Sequence, residues 1–194
     1  DGSRKTWILS FDLAGALRRL KPQRTAGRLT RRPDADLPLL ADPAEPGPEL
    51  LLDTCVYIDV LQGRCPPVID ALLTLRVINH STVALSELTH LFGRLDPAHP
   101  NTRRALAELT GVIEDIPAHR LSRPSERAAG EAGMLAGLTA RLAGRASSAE
   151  LLGDAHLLLQ AAETGCTLLT RNLQDFDRMQ QLWPQASVLF YRRD

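Results

Sequence analysis

The sequence predicts an α/β protein of three layers, in which a central, mostly parallel sheet is flanked by helices. Short apolar runs alternate with segments of helical periodicity from Glu49 to the end of the chain. The runs are apolar throughout, which is typical of parallel strands that helices cover on both faces. The 194 residues are enough for one domain with a substantial core and an additional segment.

Four apolar runs are predicted to form the strands. The first is "LLL" at 50–52, the second is centred on Val77, and the last two are "CTLLT" at 166–170 and "SVLFY" at 187–191. Each run is short and is bounded by polar residues or by a helical pattern. They therefore fit the short, buried strands of a covered sheet.

Six segments of helical periodicity lie between or beside these runs. They are "VYIDVLQG" at 56–63, "PPVIDALLTL" at 66–75, "SELTHLFGRL" at 86–95, "NTRRALAELTGVIEDI" at 101–116, "SERAAGEAGMLAGLTARLA" at 125–143 and "SSAELLGDAHLLLQAAETG" at 147–165. Pro66 and Pro67 suit a first helical turn, which needs no amide donors. Ser86 and Asn101 are candidate caps for their helices. Asp59, inside the first helix, is expected to be a surface charge.

The amino-terminal part differs from the rest in charge and composition. Residues 1–36 carry nine basic and four acidic groups, whereas residues 37–194 carry 14 and 19. Apolar residues from Trp7 to Leu17 suggest one helix before Pro22, and the proline-rich residues 22–47 are expected to form an extended linker outside the core. We therefore divide the chain into a basic arm and linker at 1–48 and a domain at 49–194. The arm either contacts RNA phosphates or is a flexible or partner-docked extension.

Composition excludes several classes of protein. No apolar stretch is long enough to cross a bilayer, and no secretory signal is recognisable. Cys55, Cys65 and Cys166 have no CxxC spacing, so neither a disulfide framework nor a zinc knuckle is expected. Free thiols fit a reducing compartment, and we expect a cytoplasmic protein without a membrane partner.

Acidic residues stand at the ends of core elements, where parallel sheets place their ligand sites. Asp53 follows the first strand, "TRNLQD" at 170–175 follows a later one, and Glu87 and Asp154 lie among apolar residues. Individually, Asp53 could cap a helix, Glu87 could be an ordinary first-turn acid and Asp154 could form a buried salt bridge. Together they favour a divalent cation, since clustered carboxylates repel one another unless a cation offsets their charge. Oxygen ligands favour Mg²⁺ or Mn²⁺ over zinc.

Three sequence blocks, "LLLDTCVYIDVL", "VALSELTHLFG" and "LLGDAHLLLQAAETGCTLLTRNLQDF", resemble PIN-domain proteins, in particular toxins of the VapC type. The resemblance covers about residues 49–191 and implies a PIN-like fold. The residues that it assigns to the site are Asp53, Glu87 and Asp154 as the three catalytic and metal-binding acids, Thr54 and Thr170 as supporting hydroxyls, and Asn172 and Asp175 at or near the fourth acidic position. Asn172 is an amide where the family has an acid, which puts a second metal site in doubt.

The resemblance implies a Mg²⁺- or Mn²⁺-dependent endoribonuclease, the toxin of a type II toxin–antitoxin pair. Its partners would be an RNA substrate, a cognate antitoxin and a second copy of the chain as a homodimer. Asp53 and Asp154 would hold the metal and Glu87 would bind or orient water, which the metal activates.

Other chemistries fit the sequence less well. Phosphotransfer domains, dehalogenase-like enzymes and P-loop enzymes need a lysine that the domain lacks, since no lysine follows Lys21. A di-iron site would need a second Glu-x-x-His beside the one ending at His90, so His90 and His156 are expected to be packing or surface residues. The remaining alternative is a PIN-fold binding module of weakened activity, acting in RNA or protein interaction, which Asn172 favours.

Overall fold

The computed structural model describes residues 11–44 and 46–193, in which eight α-helices and five strands occur. The helices are α1 Leu13–Leu20, α2 Thr54–Leu61, α3 Pro67–Leu75, α4 Thr82–Arg94, α5 Thr102–Glu114, α6 Glu126–Ala143, α7 Ala149–Thr164 and α8 Leu173–Leu182. The strands are β1 Leu50–Leu52, β2 Ile78–Ser81, β3 Leu121–Ser122, β4 Thr167–Thr170 and β5 Ser187–Phe190.

The five strands form one sheet in the order β3-β2-β1-β4-β5, and every pairing between them is parallel. β1 lies at the centre, and its register with β4 sets Leu52 opposite Leu169. The amide of Asp53 extends this pairing by donating to the Leu169 carbonyl at 3.1 Å. The carboxyl ends of β1 and β4 therefore lie side by side, so the residues that follow them share one edge of the sheet.

Helices flank the sheet and complete the predicted three-layer architecture. One group consists of α2, α4 and α5, which pack against one another, and a second consists of α6, α7 and α8, with α1 lying on α6. The core between these helices and the sheet is built mainly from leucine and alanine, and Leu50, Leu168 and Phe190 are among its fully buried residues. Removing this apolar surface from water is the main driving force for the fold.

Most predicted elements are confirmed, and α4 is the clearest difference. α4 begins at Thr82, four residues before the predicted start, and Ser81 caps it by accepting from the Val83 amide at 3.0 Å. The prediction that Ser86 caps this helix is therefore wrong. The apolar run after Ser81 belongs to the helix because Ala84 and Leu88, four residues apart, face the core together.

α8 and β3 were not predicted. α8 follows directly after β4, and Asn172 caps it by accepting from the Asp175 amide at 3.2 Å. Phe176 and Met179, three residues apart, bury one side of the helix. This cap and spacing are visible in the sequence, whereas the two residues of β3 are too few to produce a pattern.

The amino-terminal segment packs on the domain more extensively than predicted. Trp7 and Ile8 of the predicted helix lie outside the described residues, and Phe11 lies before α1. The helix ends at Leu20, with Lys21 as its C-cap, before Pro22. The expectation that residues 22–47 stay outside the core is wrong, since Leu37 is buried and Leu39 forms a parallel bridge to Phe190. Prolines prevent regular hydrogen bonding but leave apolar side chains free to pack. The division of the chain at residue 49 stays a prediction.

The prediction for Asp59 is also wrong. It was expected to be a surface charge, but its side chain is fully buried and binds Arg171, Tyr191 and Arg193. These partners are more than 100 residues away along the chain, so no local pattern reveals them.

The cysteines agree with the prediction, since Cys55, Cys65 and Cys166 are free thiols. None of the helices in the described residues is long and apolar enough to cross a membrane.

Candidate functional site

Asp53 lies at the carboxyl end of β1, immediately before α2, and only 5% of it is exposed. It occupies the N-cap position, but its side chain forms no capping hydrogen bond. Its Oδ2 instead accepts from the Thr170 hydroxyl at 2.6 Å and the Cys55 thiol at 2.9 Å. Burial raises the pKa of Asp53, and these donors offset the increase only in part. The first two amides of α2 also lower this pKa, but their geometry does not form a capping hydrogen bond, so helix capping alone does not account for this acid.

Glu87 approaches the same edge from α4. Its Oε2 accepts from the Thr54 hydroxyl at 2.5 Å, so the first residue of α2 holds this carboxylate. Burial raises the pKa of Glu87, and the nearby charge of Asp53 raises it further. Its position in the second turn of α4 also removes the explanation of a first-turn acid responding to the helix dipole.

Asp154 faces the same edge from α7. Its Oδ2 accepts from the Asn172 side-chain amide at 3.0 Å. Burial raises the pKa of Asp154 to about 9, and repulsion from Asp53, Asp175 and Glu87 contributes to the increase. All the predicted acids are thus close enough to influence one another, although their elements are far apart in the sequence.

Asn172 and Asp175 form the side of the site at the start of α8. The Asn172 amide also donates to Asp175 Oδ2 at 3.3 Å, and its backbone N–H donates to the Thr170 hydroxyl at 2.9 Å. Asp175 pairs with Arg145 at 2.8 Å and lies 3.8 Å from Arg178. Its charge is therefore already offset by arginines.

Sequence reasoning missed three residues at this edge: Cys55, Arg145 and Gly153. Cys55 donates to Asp53 and accepts from the Arg171 amide at 3.3 Å, and burial raises the pKa of its thiol. Its position two residues after Asp53 was a visible signal, while nothing in the sequence singles out Arg145. The predicted packing or surface roles of the histidines agree with the structure: His90 is exposed, and His156 Nδ1 lies 2.7 Å from the Leu152 carbonyl.

The charges and donor types of Asp53, Glu87 and Asp154 fit a hard divalent cation. In the part of the chain that the structure describes, none of the three forms an ion pair with a basic side chain. The same described residues contain no group of three or more His, Cys, Asp or Glu side chains arranged to hold a metal ion. Each acid instead faces a hydroxyl, a thiol or an amide. The donor chemistry thus matches a metal, while the side chains as they stand do not converge on one point.

Comparison with solved structures identifies the fold. The chain is similar to the crystal structure of VapBC2 from Rickettsia felis bound to a promoter DNA fragment, with 16% identity and a TM-score of 0.53 over 74% of this chain and 98% of that one. It is similar to DNA-bound VapBC from Salmonella typhimurium, with 22% identity and a TM-score of 0.52 over 72% and 96% of the two chains. It is also similar to FitAcB from Neisseria gonorrhoeae, with 20% identity and a TM-score of 0.52 over 73% of this chain and 96% of that one.

These likenesses show that the chain has the α/β fold of PIN-domain chains of the VapC type. The predicted resemblance is therefore confirmed for the fold. No protein-family model matches the sequence, and no curated protein matches it. The matched chains are covered almost completely, while part of this chain lies beyond the match.

Proposed function

We propose that this protein is an endoribonuclease that depends on Mg²⁺ or Mn²⁺. The observation that carries the proposal is the meeting of Asp53, Glu87 and Asp154 at one sheet edge with raised pKa values and only neutral hydrogen-bond donors. Keeping three carboxylates close together in partly buried positions costs free energy, and a bound cation offsets that cost. Strongly perturbed acids in such a position are typical of functional sites.

In this proposal, Asp53 and Asp154 would hold the metal and Glu87 would bind or orient the attacking water. When bound, the metal would supply a lowered pKa for that water and positive charge beside the scissile phosphate. Thr170 and Cys55 orient Asp53, and Thr54 orients Glu87. Asn172 orients Asp154 through its side-chain amide, and the other carboxylate oxygen of Asp154 has no hydrogen bond to Asn172.

We further propose that the protein is the toxin of a type II toxin–antitoxin pair, acting in the cytoplasm as a homodimer with a cognate antitoxin. Two observations support this role. The fold is shared with chains of VapBC and FitAcB structures, and the sequence blocks that carry the site acids follow the order of VapC-type toxins.

Cleavage of defined RNAs by the purified chain, with Mg²⁺ and with EDTA, tests the activity. Wild type is expected to cleave only with the metal, and Asp53→Asn to lose activity on the order of a hundredfold or more. The matched control is Glu114→Gln, since Glu114 is an exposed acid at the end of α5. Undiminished cleavage by Asp53→Asn, or wild-type cleavage in EDTA, would refute the assignment.

A second candidate function is a PIN-fold module that binds RNA or protein without cleaving. The hydrogen bond from the Asn172 amide to Asp154 favours it, because this amide satisfies an oxygen that a metal would otherwise bind. Thermal melting with and without Mn²⁺ separates the two functions. The nuclease is expected to melt at a higher temperature with Mn²⁺, and the binding module is expected to show no shift.

A further inference from the structure

Gly153 lies on α7 immediately before Asp154 and faces Glu87 on α4. A Cβ added to Gly153 would overlap Glu87 Oε1 and would lie 3.5 Å from Glu87 Cδ and 3.9 Å from Val83 Cγ1. Gly133 and Gly137 on α6 differ, since a Cβ added at either would meet no heavy atom within 4 Å, whereas one at Gly130 would meet the ring of Phe11, which is not a site residue. Gly153 is therefore a position where the missing side chain makes room for a site carboxylate.

The carboxylate of Glu87 is confined on two sides. Thr54 donates to Oε2 at 2.5 Å, and Oε1 lies over the bare backbone of Gly153. A methyl group at residue 153 would fill the space of Oε1 and force the carboxylate to move. Because the overlapping atom is the end of a flexible side chain, α4 and α7 can keep their positions, and the displacement falls on Glu87 itself.

A glycine inside a helix lowers stability by about 1 kcal/mol relative to alanine. α7 has alanine at several other positions, including Ala155 and Ala161, which are fully buried. If Glu87 did not occupy this space, the stability of the helix would therefore favour alanine at residue 153 too. The glycine is explained by the position that it allows Glu87 to adopt.

We propose that Gly153 is a positioning residue, which acts by leaving space for the Glu87 carboxylate beside Asp53 and Asp154. This inference rests on the proposed function, since it assigns Glu87 a role with the metal and its water. Gly153 itself touches neither substrate nor metal in this proposal.

The first experiment compares Gly153→Ala with the control Gly133→Ala. Gly133→Ala is expected to melt at the same or a higher temperature, with an unchanged Mn²⁺-dependent shift and unchanged RNA cleavage. Gly153→Ala is expected to stay folded, to show a smaller Mn²⁺-dependent shift in melting temperature, and to lose cleavage rate on the order of 10- to 100-fold, because small displacements of site groups have effects of that size. Equal behaviour of the two variants would overturn the inference.

The second experiment is a double-mutant cycle with Glu87→Ala. If Gly153 acts through Glu87, adding Gly153→Ala to the Glu87→Ala variant changes neither the cleavage rate nor the Mn²⁺-dependent shift in melting temperature. Without metal, Gly153→Ala is expected to raise the melting temperature of the Glu87→Ala variant by more than it raises that of the wild type. Additive losses would mean a general structural role and would overturn the inference.

The two proposals fail in different ways. A wild-type protein that neither cleaves RNA nor responds to Mn²⁺ would refute the proposed function, and with it the positioning role. If the wild type is active and depends on metal, and Gly153→Ala has the same activity, the positioning role alone would be refuted.

Discussion

Two sets of buried or half-buried carboxylates occur in the described part of the chain, and they differ in the groups that contact them. The cleft acids are Asp53, Glu87 and Asp154, and the paired acids are Asp59, Glu131 and Asp177. Each paired acid is at most 1% exposed and forms an ion pair with at least one arginine. The cleft acids, within the described part of the chain, hydrogen-bond only to neutral groups.

The paired acids are compensated within the protein. Asp59 binds Arg171 at 2.8 Å, Arg193 and the Tyr191 hydroxyl at 2.9 Å. Since Arg171 lies between Thr170 and Asn172, this pairing also anchors the loop that forms one side of the candidate site. A buried acid with its counter-charge present needs no external ligand, so burial alone does not identify a functional acid.

The cleft acids form no ion pairs of this kind within the described residues, although the charge of Arg145 lowers the pKa of Asp154 in part. Burial raises the pKa of Asp53, Glu87 and Asp154, and mutual repulsion adds to the increase for Glu87 and Asp154. An arrangement that lowers stability in the isolated chain is expected where function requires it. Pairing with arginine, more than burial, separates the proposed site acids from the paired acids in this molecule.

The paired acids also explain why the amino-terminal segment packs on the domain. Arg19 of α1 pairs with Glu131 on α6, and the Arg32 side chain pairs with Asp177 on α8 at 2.6 Å. Two buried acids of the domain therefore receive their counter-charges from residues before β1. In addition, the ring of Phe11 fills the space beside Gly130 where a side chain would lie. The described part of this segment thus belongs to the packed structure.

The largest effect on stability is expected from unpairing a paired acid. Arg32→Ala removes the hydrogen bond to Asp177 and the one to Gln180, leaving a buried carboxylate without its counter-charge. The free energy of unfolding, measured with urea, is expected to fall by about 3 kcal/mol. Arg104→Ala is the control, because Arg104 and Glu108 form an exposed pair on α5, and exposed pairs contribute little to stability. Similar losses in the two variants would contradict the structural role of the segment.

Removal of the charge of a cleft acid is expected to stabilise the protein, whereas unpairing a paired acid destabilises it. Because its pKa in the folded protein is about 9, well above the usual 3.8, Asp154 retains a proton that the unfolded chain releases. Its contribution to stability is therefore greatest below about pH 4 and is lost as the pH rises towards 9. In EDTA, Asp154→Asn is expected to raise the free energy of unfolding by about 1–2 kcal/mol at pH 8, and by much less at pH 4.5.

The matched variant is Asp177→Asn, which removes the charge of a paired acid. It is expected to destabilise the protein at pH 8, since the Arg32 side chain loses its ionised partner. Urea unfolding of both variants at the two pH values makes the comparison. If Asp154→Asn also destabilises the protein at pH 8, the distinction between cleft and paired acids is wrong.

The smallest expected effect concerns the fourth acidic position. Asn172→Asp would add a carboxylate beside Asp154 and Asp175, so Mn²⁺ affinity is expected to rise on the order of tenfold, while metal-free stability falls through repulsion. Calorimetric titration with Mn²⁺ measures the affinity, and Asn101→Asp on α5 is the control. Loss of Mn²⁺ binding in Asn172→Asp would show that the amide, rather than a charge, is required there.

Local patterns were sufficient for most of the fold. The apolar runs that form β1, β4 and β5 and the periodic segments that form α3, α6 and α7 were predicted close to their observed positions. α8 was missed although its cap and apolar spacing were visible, and the start of α4 was set too late because an apolar run after a strand resembles another strand. The packing of Leu37 was missed because the prolines around it were taken to exclude a place in the core.

The structure brings the predicted site residues together, while their role stays a prediction. Asp53 and Thr170 meet because they lie at the carboxyl ends of neighbouring parallel strands, whereas Glu87 and Asp154 reach the same edge from α4 and α7. The hydroxyl, thiol and amide partners of the three acids, and the space at Gly153, depend on side chains brought together from different elements. No spacing within one segment contains that information.

Asp53 and Asp59 show which properties the sequence alone does not predict. Both occur in the stretch "ELLLDTCVYIDVLQG", and the sequence by itself determined the strand, the helix after it, and the position of Asp53 at the strand end, because those features depend on local periodicity. Only the tertiary structure decided which acid is compensated. Asp59 has charged partners because residues 171 and 193 fold back onto α2, whereas Asp53 has only neutral donors. Charge compensation is a property of contacts between distant segments, and it is the reason that two neighbouring buried acids have different partners.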